Sequence, residues 1–173
     1  MSEEARRIEE TVEAWAQVRL QALAAQAGEV ASQFYVRAAR ERASRARSEW
    51  GRLGVRVRPL RSARAAPGAF AIEWFTRRWV NQAGAQTFTS YIRRGTGDRY
   101  PRSALAGVAQ PWELAIAEEL EDRFAEIRRI ARSVSRVRMA VRQHAKLEHT
   151  LTAAAVERSR LPCDQGDAAA PRL

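Results

Sequence analysis

The chain has 173 residues, of which 46% are hydrophobic and 29% are charged, so the sequence suits one folded domain and argues against wholesale disorder. The formal net charge is +10, and of 30 basic residues only Lys146 is a lysine. This balance favours a polyanionic partner, although a GC-rich genome also enriches arginine. One cysteine excludes an intrachain disulfide, and no apolar stretch is long enough to span a membrane, so we expect a cytoplasmic protein without a membrane partner.

The first element is predicted to be a helix over residues 3–50, because Ala, Glu, Arg and Gln dominate this segment. Apolar residues form two stripes along it, separated by a candidate break at Gly28: Ile8, Val12 and Trp15, then Leu23, Val30, Phe34 and Ala38.

Strand periodicity replaces helical periodicity over residues 53–95. Val55 and Val57 alternate with arginines, and Pro59 places that strand at an edge or an end. Two further strands follow, AFAIEWFTRRWV and QTFTSYIRR, joined by NQAGA as a hairpin loop. In the first of them, Phe70 and Trp74 are expected to face the core. The sequence therefore predicts an α+β fold whose two- or three-stranded antiparallel sheet is covered on one face by helices.

The clearest periodicity belongs to the last helix, predicted over residues 111–149 with Pro111 as its first residue and a short helix at 103–109 before it. Its apolar residues follow one another at intervals of three or four: Ile116, Leu120, Phe124, Ile127, Ile130, Val134, Val137 and Val141. That stripe fits an intramolecular partner or a homodimer equally well. We expect one domain over residues 1–160 and a disordered tail over 161–173.

No catalytic constellation is evident in the sequence. His144 and His149 lack a third metal ligand, Cys163 lacks a local base, and no phosphate-binding loop occurs. We therefore expect no enzyme activity, metal or cofactor. A run of acids on the last helix has the pattern of a solvated, ion-paired face: Glu118, Glu119, Glu121, Asp122 and Glu126.

Clustered arginines, some beside aromatic residues, are the candidate functional residues. Clustered arginine supplies phosphate contacts, and aromatic rings beside it can stack on unpaired bases. The alternative is that these charges only solvate the surface. The predicted nucleic-acid-binding residues are Arg37, Arg40, Arg42, Arg45, Arg47, Arg52, Arg56, Arg58, Arg77, Arg78, Trp79, Tyr91, Arg93, Arg94 and Arg99. A further row, expected on the outer side of the last helix, is Arg128, Arg132 and Arg136.

The stretch from Phe70 to Arg138 resembles the MobI-type conjugative transfer proteins of integrative elements and plasmids. The matching features are IEWFTRRW, SYIRRGTGDRYP and PWELAIAEELEDRFAEIRRIARSVSRVR. The resemblance implies a bacterial cytoplasmic protein that assists DNA processing at the origin of transfer beside a separate relaxase. DNA would then be favoured over RNA as the ligand. The alternative is a helical adaptor that binds a protein partner through the last helix.

Overall fold

Two long helices lie against a three-stranded sheet in the computed structural model, which describes residues 3–62, 65–79 and 87–160. The elements in chain order are α1 (Glu3–Ala43), a 3-10 turn (Arg47–Glu49), β1 (Leu53–Pro59), β2 (Phe70–Trp79), β3 (Thr87–Tyr91), α2 (Arg102–Ala106) and α3 (Pro111–Arg160). This architecture confirms the predicted α+β fold. The tail predicted to be disordered and the predicted hairpin loop NQAGA lie outside the described residues.

Helix α1 runs without a break through Gly28 and ends at Ala43 rather than at residue 50. Its first turn carries acids and its last turn Arg40 and Arg42, which suits the helix dipole. The helix ends early because a tertiary contact overrides local propensity: the chain must turn back so that the Leu53 amide reaches a buried carboxylate on α3.

Only the second predicted stripe of α1 belongs to the core. Its members are buried as predicted: Leu23, Val30, Phe34 and Ala38. The first predicted stripe lies at the surface instead, since Ile8 and Trp15 are 51% and 47% exposed. Among the described residues, α3 packs on a neighbouring face of α1, at Ala16 and Leu20. The face that carries Ile8 and Trp15 stays open.

The strands lie in the order β1-β2-β3, and both pairings are antiparallel. Val55 is opposite Trp74, and both side chains face the helices. Tyr35 on α1 closes the outer edge of β1, because its hydroxyl donates to the Val55 carbonyl oxygen at 2.6 Å and accepts from the Val55 N–H at 3.2 Å. A paired edge is less available to another strand.

Three aromatic rings from three elements meet at the centre of the core. Trp74 on β2 is fully buried and makes edge-to-face contacts with Phe34 on α1 at 5.2 Å and Phe124 on α3 at 5.8 Å. This geometry adds to the burial of apolar area, which dominates the stability of such a core. The prediction that Trp74 faces inward is confirmed.

Helices α1 and α3 pack antiparallel, and ion pairs mark their register. Arg37 meets Glu119 at one end, while Glu13 binds Arg138 and Arg142 near the other.

Helix α3 continues to Arg160, eleven residues beyond its predicted end, while α2 is shorter than predicted. Most of the apolar stripe of α3 is buried or half-buried, with the exception of Val137, which is 45% exposed. Within the described part of the chain, neither long helix has an apolar window sufficient to cross a membrane.

Candidate nucleic-acid interface

The sheet face that points away from α1 and α3 carries a row of arginine and aromatic side chains. Because side chains alternate along a strand, the inward positions of Val55, Ile72 and Trp74 put their neighbours on the opposite side. We call this surface, with the exposed residue that follows β3, the outer sheet face. Its described members are Arg52, Gly54, Arg56, Arg58, Ala71, Glu73, Phe75, Arg77, Thr89, Tyr91 and Arg93.

Two arginines lie over aromatic rings on the outer sheet face. The guanidinium carbon of Arg56 is 4.4 Å from the ring centroid of Tyr91, and that of Arg77 is 5.3 Å from the centroid of Phe75. The two rings meet edge-to-face at 6.2 Å. Both arginine–ring distances fall within the range of a cation–π contact. The stacks are therefore side by side, and Tyr91 remains 47% exposed.

Gly54 makes room for the Phe75 ring. A Cβ at that position would lie 2.6 Å from the Phe75 Cζ atom, closer than real Cβ atoms come to a neighbour. The ring therefore lies flat against β1 and is only 4% exposed although it is on the solvent side of the sheet. Because Gly54 has no side chain, the Phe75 ring can lie flat against β1, where Arg77 contacts it.

One carboxylate, Glu73, organises two of the arginines. It accepts hydrogen bonds from Arg56 Nε at 3.0 Å and from Arg58 Nε and Nη2, each at 2.9 Å. The hydrogen bond from Arg58 is the main cause that lowers the pKa of the Glu73 carboxyl. Because the carboxylate binds the edges of the guanidinium groups, the planar surface of Arg56 stays available over Tyr91.

The remaining arginines of this region have no carboxylate partner among the described residues. Arg52 and Arg77 are opposite each other, since the Arg77 N–H donates to the Arg52 carbonyl oxygen at 3.0 Å. Arg93 follows the inward-facing Ile92 and is exposed. Within the described residues, none of these three guanidinium groups has a carboxylate within 4.0 Å. The surface therefore combines five arginines with one glutamate.

The other arginines predicted as binding residues are distributed over the helices and the loop after β3. Arg37 pairs with Glu119 at 2.8 Å, and this hydrogen bond raises the arginine pKa. Arg45 pairs with Glu41 at 2.7 Å, while the Arg42 guanidinium donates to the Gly51 carbonyl oxygen. These contacts fix the end of α1.

Arg40 is exposed, and Arg47 lies 6.0 Å from the ring centroid of Trp50. No carboxylate in the described part of the chain approaches either of them within 4.0 Å. Arg99 pairs with Asp122 on α3. Arg94 is half-buried, and its burial, reinforced by Arg128, lowers its pKa. The predicted site also includes Arg78 and Trp79, whose side chains lie outside the described residues.

A buried carboxylate that the sequence did not reveal joins β1 to the start of α3. Glu113 is fully buried and accepts the N–H groups of Leu53 at 2.9 Å and Gln110 at 3.1 Å. The second bond is the Glu half of a capping box. Burial raises the pKa of the Glu113 carboxyl, despite these donors. A Cβ at Gly51 would lie 1.7 Å from the Glu113 Cδ atom, so Gly51 provides the space for this contact.

A second buried carboxylate, Glu121, joins β2, the loop before α2 and α3. It accepts from Trp74 Nε1 at 2.6 Å, the Tyr100 N–H at 2.8 Å and Arg128 Nη1 at 2.6 Å. Arg128 also donates to the Asp98 carbonyl oxygen at 2.7 Å. The expectation of a solvated face is therefore wrong for Glu121, and that of an outward position is wrong for Arg128. Their neighbours in the acidic run Glu118, Glu119 and Asp122 do pair with surface arginines.

The structure brings together no group of three His, Cys, Asp or Glu side chains that could hold a metal in the ranges it describes. His144 lies on the surface of α3, 3.7 Å from Glu148. Cys163 lies outside the described residues.

An apolar surface lies on one side of the α1/α3 pair. Ile8 and Val141 line one shallow cavity, and Trp15 is two helical turns beyond Ile8 on α1. Val137 lies one turn before Val141 on α3. We call this surface the hairpin patch: Ile8, Val12, Trp15, Val137 and Val141. Its exposed part is on the helices and thus separate from the outer sheet face.

A family model described as "MobI protein" matches residues 23–142. The match includes the second half of α1, the whole sheet, α2 and most of α3. It is longer than the resemblance seen in the sequence over residues 70–138, which it confirms. No curated protein and no solved structure matches the chain.

Proposed function

We propose that this chain is a non-catalytic accessory protein that binds DNA through its outer sheet face. The premise is that it belongs to the MobI protein family and is thereby a protein of conjugative transfer. The observation that carries the proposal is the combination of five arginines with one glutamate among the described residues of a solvent-facing sheet. In this proposal the protein acts in the bacterial cytoplasm at the origin of transfer. A separate relaxase would supply the nicking chemistry.

Phosphate neutralisation would provide the affinity. Arg52, Arg77 and Arg93 have no carboxylate to displace, so each can neutralise a phosphate without breaking an ion pair of the described structure. Each phosphate contact releases condensed counterions, which gives a slope of about −0.9 in log affinity against log salt on duplex DNA and about −0.7 on a single strand. Three such contacts predict a slope between about −2 and −3.

The test is a salt series with a labelled oligonucleotide and two matched double variants. R52E/R77E reverses two charges on the outer sheet face, while R19E/R136E reverses two exposed arginines on the helices that have no carboxylate within 4.0 Å among the described residues. We expect the first variant to bind at least roughly tenfold more weakly. Its slope of log affinity against log salt should be smaller by the contribution of about two phosphate contacts. The second should retain affinity within about threefold, since screening limits effects beyond roughly 10 Å.

An equal loss in both double variants would mean that net charge, and not the outer sheet face, determines binding. A protein that binds neither single-stranded nor duplex DNA at 50 mM salt would contradict the proposal as a whole.

The hairpin patch favours a second candidate function, that of a helical adaptor that binds a protein of the transfer system. Exposed apolar patches on helices are typical of docking sites. Trp15→Ala and Val137→Glu should then reduce the mobilisation frequency without changing DNA affinity. If R52E/R77E mobilises as well as the wild type while Val137→Glu does not, the adaptor function is the correct one.

A further inference from the structure

We infer that the outer sheet face binds an unpaired DNA strand, with a base stacked on the Arg56–Tyr91 pair. This inference rests on the proposed function and specifies its ligand. It is carried by the geometry of the two arginine–aromatic stacks and by the shape of the surface around them.

The Arg56 guanidinium group is held in a position that suits stacking. Its Cζ atom lies over the Tyr91 ring, 4.4 Å from the ring centroid, and its Nε donates to Glu73 at 3.0 Å. A base can therefore approach Arg56 from the side opposite the ring. Guanidinium planes and aromatic rings both stack on nucleobases, so a base added there would extend the order Tyr91, Arg56, base. The side chain of Arg56 is 40% exposed, which leaves this approach open.

A neighbouring stack provides room for a second base. Arg77 lies over Phe75, and Phe75 contacts Tyr91 at 6.2 Å. Phe75 is buried, so Arg77 rather than the ring would contact a ligand. The two stacks therefore form one platform across all three strands, with Arg52 beside Arg77 for the sugar–phosphate backbone.

The shape of the platform favours unpaired bases over a duplex. In double-stranded DNA the planar side of each base is covered by its neighbours in the stack, and only base edges face the grooves. The platform offers planar groups, which need the planar side of a base. Three strands about 4.8 Å apart, with their side chains, also form a surface too broad for the roughly 12 Å major groove, which admits a helix or a two-stranded ribbon.

The experiment compares a 12-nucleotide single strand with the blunt 12-base-pair duplex of the same sequence by fluorescence anisotropy. The variants are Tyr91→Ala, Tyr91→Phe and, as a matched exposed aromatic residue away from the platform, Trp15→Ala. We expect the wild type to prefer the single strand. Tyr91→Ala should lose roughly five- to hundredfold in single-strand affinity, as is typical for a stacked base, with little change for the duplex. Tyr91→Phe and Trp15→Ala should both stay within about twofold of the wild type.

Arg56→Lys separates stacking from charge. Lysine keeps the positive charge but has no planar group. We expect the single-strand affinity to fall while the slope against salt stays unchanged. Thermal melts of each variant establish that it is folded at the assay temperature.

Failure of this inference can be distinguished from failure of the proposed function. Equal or tighter binding of the duplex, or full single-strand affinity in Tyr91→Ala, would overturn the inference and leave DNA binding by the outer sheet face standing. No binding of either oligonucleotide would overturn both.

Discussion

Replacing Glu121 with leucine removes the only carboxylate in contact with the buried Arg128 guanidinium within the described part of the chain. Glu121 is 1% exposed and accepts three donors at 2.6–2.8 Å, from Trp74, Tyr100 and Arg128. Loss of one partner of a buried ion pair costs about 3–5 kcal/mol, because the other charge stays buried. The Trp74 indole and the Tyr100 amide lose their acceptor as well, at about 1–3 kcal/mol for each unmatched group. We therefore expect a loss of at least about 5 kcal/mol in the free energy of unfolding, a large part of the 5–15 kcal/mol typical of a domain.

Urea denaturation followed by tryptophan fluorescence measures this loss, and a double-mutant cycle isolates the ion pair. Arg128→Met alone should also destabilise, but E121L/R128M should lose clearly less than the sum of the single variants, since no buried charge is left unpaired. Glu126→Gln, an exposed change on the same helix, should stay within about 0.5 kcal/mol of the wild type. A loss below about 1 kcal/mol for Glu121→Leu, or strict additivity in the cycle, would refute the reasoning.

Three further predictions concern the stability of the fold and its dependence on pH. Gly51→Ala should lower the free energy of unfolding by about 1–3 kcal/mol, because the added Cβ would displace the Glu113 carboxylate. Gly28→Ala should raise it by about 0.5–1 kcal/mol, because the space around Gly28 in α1 is open. Urea denaturation midpoints of the two variants should therefore shift in opposite directions. Burial raises the Glu113 pKa, so its contribution is fully present below the ordinary value of 4.5 and is lost as pH rises; the stability difference between wild type and Glu113→Gln should shrink from pH 4.5 to pH 7, and a constant difference would contradict this. The Glu73 pKa is lowered, mainly by Arg58, so its contribution to stability is present above pH 4.5 and is lost as pH falls. The difference in free energy of unfolding between wild type and Glu73→Gln should therefore vanish in acid. At higher pH it should stay within about 1 kcal/mol, because the ion pair is partly exposed.

The parts of the fold that follow from apolar periodicity could be predicted from the sequence. The three- and four-residue spacing of Ile116, Leu120 and Phe124 marks the buried side of α3, and the two-residue spacing of Ile72 and Trp74 marks the inward side of β2. These patterns sufficed for the α+β fold because burial of apolar area is the dominant favourable contribution to folding, and it is non-directional.

The polar interior could not be predicted in the same way. Glu121 directly follows Leu120 and Arg128 directly follows Ile127, so both lie beside the buried stripe of α3. Their spacing of seven residues puts them on one side of the helix, which is the signal that could have separated them from their solvated neighbours. That signal is weak without the Trp74 indole and the Tyr100 amide, which reach Glu121 only in the folded chain.

The sequence predicts several members of the outer sheet face but not the surface as a whole. Alternation in β2 places Glu73, Phe75 and Arg77 on one side, but the sequence does not contain the register that sets Arg56 opposite Glu73 and Tyr91 opposite Phe75. An apolar stripe in the sequence also does not establish burial. Ile8 and Trp15 stay exposed because a stripe is buried only where another element packs against it.

The distribution of acids decides where the net charge of +10 can act on a ligand. Along α1 and α3 the arginines alternate with carboxylates, as in the contacts of Arg37 with Glu119 and of Glu13 with Arg138 and Arg142. A polyanion that approaches the helices would therefore have to displace carboxylates from many of these arginines. On the outer sheet face it would meet a single carboxylate among the described residues, Glu73, whose hydrogen bonds hold guanidinium groups in place. Since the sheet is fixed from behind by buried contacts to α1 and α3, little ordering is required of it when a ligand binds.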